Sequence, residues 1–361
     1  MTRLLLDISA HGFGHLAQAA PVVNALENRL PELQVMVRAD LPERLLRERL
    51  QVPFEQHRVQ LDPGMAMQDA LTVDRKASIR AYAHFHRDWE HRVAEQARRI
   101  EALAPDLVLA DAPYLSPAAA RLAGIPAAVL CSLDWAGVFS AYCGAFPGAA
   151  EIHADMIRAY NDACCFLQPV PHMPMSYLSN RREIGPLAER AGNDPATLRT
   201  HLGVPAGARL GLVTLGGLPF ELAPKGWPRL PGVHWLTPGP APSRPDFQSL
   251  DGLGLNHLAA LAACDVVVTK PGYGTLVEAA CHGVDVLYLP RGDWPEEPYL
   301  LGWLHAHARC REITRDELER GHLAGALEHV ARQAPLPRPA PTGAEEGADI
   351  LLGLLPGMAP G

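Results

Sequence analysis

Residues 264–290 read CDVVVTKPGYGTLVEAACHGVDVLYLP, and their order decides the fold. The β-branched run at 266–268 shows no polar alternation, as expected of a strand buried on both faces. Lys270, Pro271, Gly272, Tyr273 and Gly274 form a loop, and 275–282 is expected as a short helix with Leu276, Ala279 and Ala280 on its apolar face. Gly283 stops that helix, and 286–289 is a second buried strand closed by Pro290. Strand, glycine loop, helix and strand make a βαβ unit, the building block of a parallel sheet. The loop leaves backbone N–H groups at a helix N-terminus with Lys270 beside them. That arrangement suits an anion, and best of all a phosphate.

Around this unit, 361 residues give room for two domains, each with its own core. Apolar residues are 48% and charged residues 20%, the balance of a globular chain rather than a disordered one. A net charge of −8 and a pI near 6.0 argue against a nucleic-acid partner held by bulk electrostatics. The seven cysteines contain no C-x-x-C, and only Cys164 and Cys165 are adjacent, so they read as small hydrophobes in a reducing compartment. Residues 1–6 are too short for a signal core, Asp7 interrupts them, and no apolar run reaches membrane-spanning length. The expectation is a cytoplasmic protein with no transmembrane segment, which leaves room for peripheral membrane contact.

The first half repeats the β-loop-α pattern. Strands are expected at 4–8, 34–40, 107–111 and 127–131, with helices after the first and third. Residues 80–103 read as one long helix with a stripe of Phe85, Trp89, Val93, Ile100 and Leu103; its histidines (His84, His86, His91) form no recognised metal pattern with a carboxylate on one face and read as packed or solvated. The proline-rich stretch 171–187 is the expected linker between an N-terminal domain (1–170) and a C-terminal one (188–335). The C-terminal domain opens with strands at 210–215 and 233–236. Residues 336–361 are expected as a proline-rich connector and a terminal helix.

Ligands of parallel sheets collect at the carboxyl ends of strands, where the loops after Ile8 and Asp111 both fall. His11, Gly12, Phe13, Gly14 and His15 lie between the first strand and its helix. His15 there could take a proton from a hydroxyl near neutral pH, with Asp111 fixing its tautomer; the plainer alternative is that both residues cap or pack at helix starts. Gly12–Ala17 also fits the dinucleotide pattern G-x-G-x-x-G/A, with Asp40 ending the next strand, a weak match on its own. Glu278 either closes a capping box with Thr275 or accepts hydrogen bonds from two ribose hydroxyls. Gly216 and Gly217 are either a simple turn or a close backbone approach to a diphosphate. Asp293, Glu296 and Glu297 are either a solvated acidic loop or readers of sugar hydroxyls. No Asp-x-Asp pattern occurs, so no metal is expected.

These residues carry a resemblance. Lys270–Glu278, followed by Gly283 and Pro290, resembles the donor-binding signature of GT-B fold, UDP-sugar-dependent glycosyltransferases, a group including plant and microbial UDP-glycosyltransferases and the bacterial enzyme that adds N-acetylglucosamine to the peptidoglycan lipid precursor. Gly272, Thr275 and Glu278 match its glycine, hydroxyl and ribose-binding glutamate, and Lys270 stands where many members place a phosphate-binding histidine or arginine. Gly14-His15 resembles the family's acceptor loop, whose histidine is the usual base. Leu109-Ala110-Asp111-Ala112 with Gly124-Ile125-Pro126 resembles the segment carrying its aspartate partner. The His-Gly-Phe-Gly-His form also looks like the glycosyltransferase-like part of bacterial and plant sugar-kinase fusions. Three features depart from the pattern: RGDWPEEPY at 291–299 replaces the sugar-reading Asp-Gln or Gln-x-x-Asn, Gly274 replaces a common asparagine, and Gln18 replaces a common proline.

The resemblance implies two facing Rossmann-like α/β domains, with the last helix returning to the first. It also implies an inverting transferase that needs no resident cofactor and takes a nucleotide-sugar donor, UDP-linked, and a small-molecule acceptor. His15 and Asp111 would be catalytic, His11, Gly12 and Gly14 would shape the acceptor loop, and Gly216, Gly217 and Lys270, Gly272, Tyr273, Gly274, Thr275 and Glu278 would hold the donor. The competing expectations are an epimerase on the same fold and a binding protein that has lost transfer.

Overall fold

The structure of the protein, a computed structural model, describes residues 2–12, 14–69, 71–189, 195–215, 224–239, 241, 243–251, 253 and 255–355. The chain divides into two units: Met1–Leu187 with Trp294–Glu296 and Pro341–Gly361, and Ala188–Asp293 with Glu297–Ala340.

The first unit holds β1 (Arg3–Ile8), β2 (Gln34–Arg38), β3 (Phe54–His57), β4 (Leu107–Asp111), β5 (Ala127–Leu130), β6 (Cys165–Pro169) and β7 (Arg181–Ile184), in the order β3-β2-β1-β4-β5-β6-β7. The second holds β8 (Arg209–Val213), β9 (Val233–Thr237), β10 (Phe247–Ser249), β11 (Val266–Thr269), β12 (Asp285–Tyr288) and β13 (Cys310–Glu312), in the order β10-β9-β8-β11-β12-β13. Every strand pair in both sheets is parallel, the α/β class expected from the repeated β-loop-α pattern. In each sheet the strand order reverses once, between β1 and β4 and between β8 and β11, which opens a crevice at the carboxyl ends of those strands.

The central strands carry apolar side chains on both faces, and β4 and β5 are buried along their whole length. One polar exception is paired by register. Asp7 of β1 lies opposite Arg38 of β2, and the guanidinium donates to both carboxylate oxygens, at 2.7 and 2.5 Å, and to Gln96 Oε1 at 3.0 Å. Losing either partner would leave a buried charge alone, a cost of about 3–5 kcal/mol. A cluster of large side chains (Tyr82, Tyr114, Trp135, Phe139 and Tyr160 among them) fills one face of the first sheet. The terminal helix Gly343–Leu352 packs along the helix Gly14–Arg29, within the first unit. A Cβ at Gly347 would stand 3.2 Å from the Val22 methyls, and Arg29 pairs with Glu345 at 2.5 Å and Asp349 at 3.1 Å.

Three expectations are corrected. Residues 80–103 form two helices, Arg75–His86 and Trp89–Leu103. The first begins at Asp74, whose side chain accepts from Ala77 N, and Asp88 takes non-helical angles between them. Aspartate favours helix starts over interiors, and beyond the break Trp89 joins His86 and Tyr114 in a three-ring cluster, with centroids 4.8 and 5.6 Å from His86 and 5.5 Å from each other. The proline-rich stretch 171–187 carries β7, an edge strand whose side chains are exposed except for Ile184. The helix after β11 starts at Tyr273, two residues earlier than expected. Among the described residues no helix is long and apolar enough to cross a membrane.

Candidate functional site

At the crevice of the first sheet, register sets the geometry. Ile8 pairs with Asp111, and Ser9 N donates to the Asp111 carbonyl at 3.0 Å, so the turn leaving β1 is stitched to the end of β4. Gly12 has φ +82, a conformation that glycine adopts without steric cost. The helix Gly14–Arg29 then begins, and His15 comes to rest only 4% exposed. Its Nδ1 lies 2.8 Å from Oδ1 of the fully buried Asp111. An ionised carboxylate only accepts, so Nδ1 carries the proton and Nε2 keeps the lone pair of a base.

The surroundings are polar and enclosed by rings. Trp135 lies 5.8 Å from the His15 ring and edge-on to His11 at 5.1 Å. Trp294, which belongs to the first unit, stacks parallel to His11 at 6.1 Å. Asp62, 3% exposed, accepts from Ser9 Oγ at 3.0 Å and Trp135 Nε1 at 3.2 Å. Glu296 accepts from Ser132 Oγ at 2.5 Å and Trp294 Nε1 at 3.2 Å. Burial pulls the imidazole pKa down, and the hydrogen bond and charge of Asp111, with the charges of Asp62 and Glu296, more than reverse this, leaving His15 above its ordinary value. Burial raises Asp111 and Asp62 to about 6, against the opposing pull of His15.

Cys131 completes the one cluster of metal-ligand types found among the described residues, with its Sγ 3.7 Å from His15 Nδ1. Burial keeps this thiol protonated, and Nδ1 is already committed to Asp111. A metal here would have to displace that hydrogen bond and ionise the thiol, so the chemistry fits a proton-transfer pair better than a metal centre.

In the second unit, β11 leads through Lys270 and Pro271 to Gly272, which caps the helix Tyr273–His282 in an extended conformation and has no side chain to offer. The orphan N–H groups of that first turn therefore lack a side-chain cap, the arrangement that favours an anion. Tyr273 and Gly274 are buried, while Lys270, Gly272 and Thr275 are half-buried. The earlier helix start moves Thr275 into the helix, so the Thr275–Glu278 capping box does not form. Glu278, 2% exposed, sits within the second turn, and Gly283 ends the helix at φ +72.

The acidic loop after β12 divides. Asp293 is exposed. Glu297 is buried and accepts from the backbone N–H of Arg291 at 2.8 Å and Gly292 at 3.2 Å, bracing its own loop. Glu296 is buried against Ser132, so the picture of three solvated carboxylates holds only for Asp293. Gly216 and Gly217 lie outside the described residues.

Sequence reasoning missed Asp62, Cys131, Ser132 and Trp135. Cys131 directly follows β5, so the strand-end rule alone could have flagged it. Asp62 had only the turn signature Asp62-Pro63-Gly64 to mark it.

No family model matches the chain. A curated relative, L-arabinokinase of Arabidopsis thaliana, is 26% identical over 365 residues, covering 95% of this chain and 33% of that protein; the chain thus spans about a third of its length. Among solved structures, CalG4, the calicheamicin glycosyltransferase, aligns at TM-score 0.65 and 16% identity over the whole of both chains. The kitacinnamycin glycotransferase aligns at 0.61 and 19%, over 98% of this chain and 99% of the other. UGT89C1 of Arabidopsis thaliana complexed with UDP aligns at 0.58 and 16%, over 97% and 98%. The fold they share with this chain is GT-B, two parallel-sheet α/β domains.

Proposed function

We propose that this protein is an inverting glycosyltransferase that moves a sugar from a nucleotide-sugar, UDP-linked, to the hydroxyl of a small-molecule acceptor. The observation that carries the reading is the 2.8 Å contact between His15 Nδ1 and the buried Asp111 carboxylate at the β1/β4 crevice. Structural likeness to the calicheamicin glycosyltransferase CalG4 and to UGT89C1 complexed with UDP supports it.

His15 Nε2 takes the proton of the acceptor hydroxyl as its oxygen bonds to the anomeric carbon. The bond from that carbon to the diphosphate breaks in the same displacement, and UDP leaves from the opposite face. Asp111 stabilises the imidazolium that forms. Lys270 and the N-terminus of the helix Tyr273–His282 oppose the charge growing on the departing diphosphate, and Glu278 accepts from the ribose hydroxyls.

The test incubates the chain with UDP-, dTDP- and GDP-sugars, with and without a mixed pool of alcohol and sugar acceptors, and follows nucleotide release and product mass. The reading requires UDP release that depends on the acceptor pool and disappears in His15→Ala. Isomerised donor without acceptor would instead establish an epimerase. Tight UDP binding with no turnover of any donor would establish a binding protein.

A further inference from the structure

We propose that Asp62 is a second positioning residue for His15, holding the walls of the imidazole's pocket and adding its negative charge to that of Asp111. The proposal rests on His15 acting as the base. Asp62 lies on the loop after β3, far in sequence from both members of the pair, yet it ties together the segments that surround them. Its Oδ1 accepts from Ser9 on the turn leaving β1, and its Oδ2 accepts from the indole of Trp135, the ring packed against His15 and His11. Three residues further along the same loop, Met65 N donates to His11 Nδ1 at 3.4 Å. Gly64 between them has φ +58, and a Cβ there would meet His11 Nδ1 at 2.9 Å, so the loop backbone is pressed against the turn. One short loop thus braces His11, Ser9 and Trp135 together.

A histidine in the first turn of a helix faces the positive end of the helix dipole, which opposes its protonation, and burial opposes it again. His15 nevertheless titrates above its ordinary value. The groups facing it are Asp111 at the end of β4, Cys131 after β5, Asp62 after β3, Glu296 from the 294–296 segment and His11 on its own turn. The thiol is kept neutral by burial, which leaves the three carboxylates to raise the imidazole. Asp62 is faced in turn by Ser9, Trp135, the backbone of Gly64, the phenols of Tyr82 and Tyr114 and the like-charged carboxylate of Asp111. Its two side-chain donors are neutral, and no arginine or lysine is among these neighbours. The buried charge of Asp62 therefore has His15 as its cationic counterpart.

Asp62→Asn keeps the shape and can still accept from Trp135, but removes the charge. In the full chain with labelled histidine, NMR titration of His15, assigned with His15→Gln, should show the midpoint falling by about one pH unit. Trp135→Phe, which withdraws one donor from Asp62 and so makes it less acidic, should move the midpoint in the same direction by less. In the transfer assay, Asp62→Asn should shift the acid limb of the kcat profile downward by a similar interval while the donor KM stays constant. A His15 midpoint unchanged in whichever variant folds, as judged by circular dichroism and melting, overturns the proposal. The titration needs no turnover, so it stands apart from the transferase reading: a shifted midpoint in a chain that transfers no sugar sustains the Asp62 assignment and defeats the function, and an unshifted midpoint in an active enzyme does the reverse.

Discussion

The two units use one backbone device for opposite ends. In each, a glycine turn leaves a strand where strand order reverses and delivers the chain into a helix. In the first unit the turn carries histidines, and the crevice is packed with carboxylates, a thiol and indoles around His15. In the second the loop carries a lysine, and the helix starts at a glycine with no capping side chain. A helix N-terminus disfavours a cation and welcomes an anion. The first unit counters that preference with buried acids so that an imidazole can hold a proton, whereas the second leaves it intact, as the proposed diphosphate site requires. Topology chooses the location, and local charge chooses the chemistry.

The largest expected effect comes from breaking the first site. His15→Ala should lower kcat by about 10³-fold in the transfer assay with UDP affinity unchanged. Asp111→Asn should lower it by about 10²-fold, since the amide can present its N–H₂ to Nδ1 and favour the wrong tautomer. At the second site, Glu278→Ala should weaken UDP binding about 30-fold in calorimetry without moving kcat/KM for the acceptor limb of the reaction, the net size of one lost charge-assisted hydrogen bond. Lys270→Ala should weaken it about fivefold, with the gap to the parent narrowing as salt is raised.

The smallest effect is on stability and sharpens the contrast through pH. Asp62 and Asp111 titrate near 6 in the folded chain, against 3.8 for an unperturbed aspartate. The fold therefore binds these protons more tightly than the unfolded chain does, and the stability they contribute is full below about pH 4 and lost as pH rises through 6. His15, also raised, has the same sign at higher pH. Thermal melts from pH 4 to 8 should show the parent losing stability relative to Asp62→Asn across that window. A parent-to-variant difference that is constant with pH would refute the shifted titrations.

Much of this was legible from residue order because the signals were local. Buried β-branched runs separated by glycine loops specify parallel strands, and the strand-end rule pointed to His15 and Asp111 without any knowledge of their distance. What escaped depended on tertiary placement. β7 is a four-residue edge strand of mostly exposed polar side chains, so it lacks the hydrophobic run that marks the others. The capping box at Thr275 matched in spacing, but burial of Tyr273 and Gly274 draws the helix back to Gly272. The helix break at Asp88 was hidden by a stripe that continues through it, because Phe85 and Trp89 pack on the same cluster from two helices rather than one. Asp62 looks like a turn residue and becomes notable only once β3, the first turn and Trp135 are brought together.

The division of labour is tested most directly by titrating UDP into the full chain, His15→Ala and Glu278→Ala by calorimetry under one set of conditions. The parent and His15→Ala should bind with equal affinity, and Glu278→Ala should bind about 30-fold more weakly. Loss of binding in His15→Ala, or full affinity in Glu278→Ala, would contradict the assignment of the base to one unit and the nucleotide to the other.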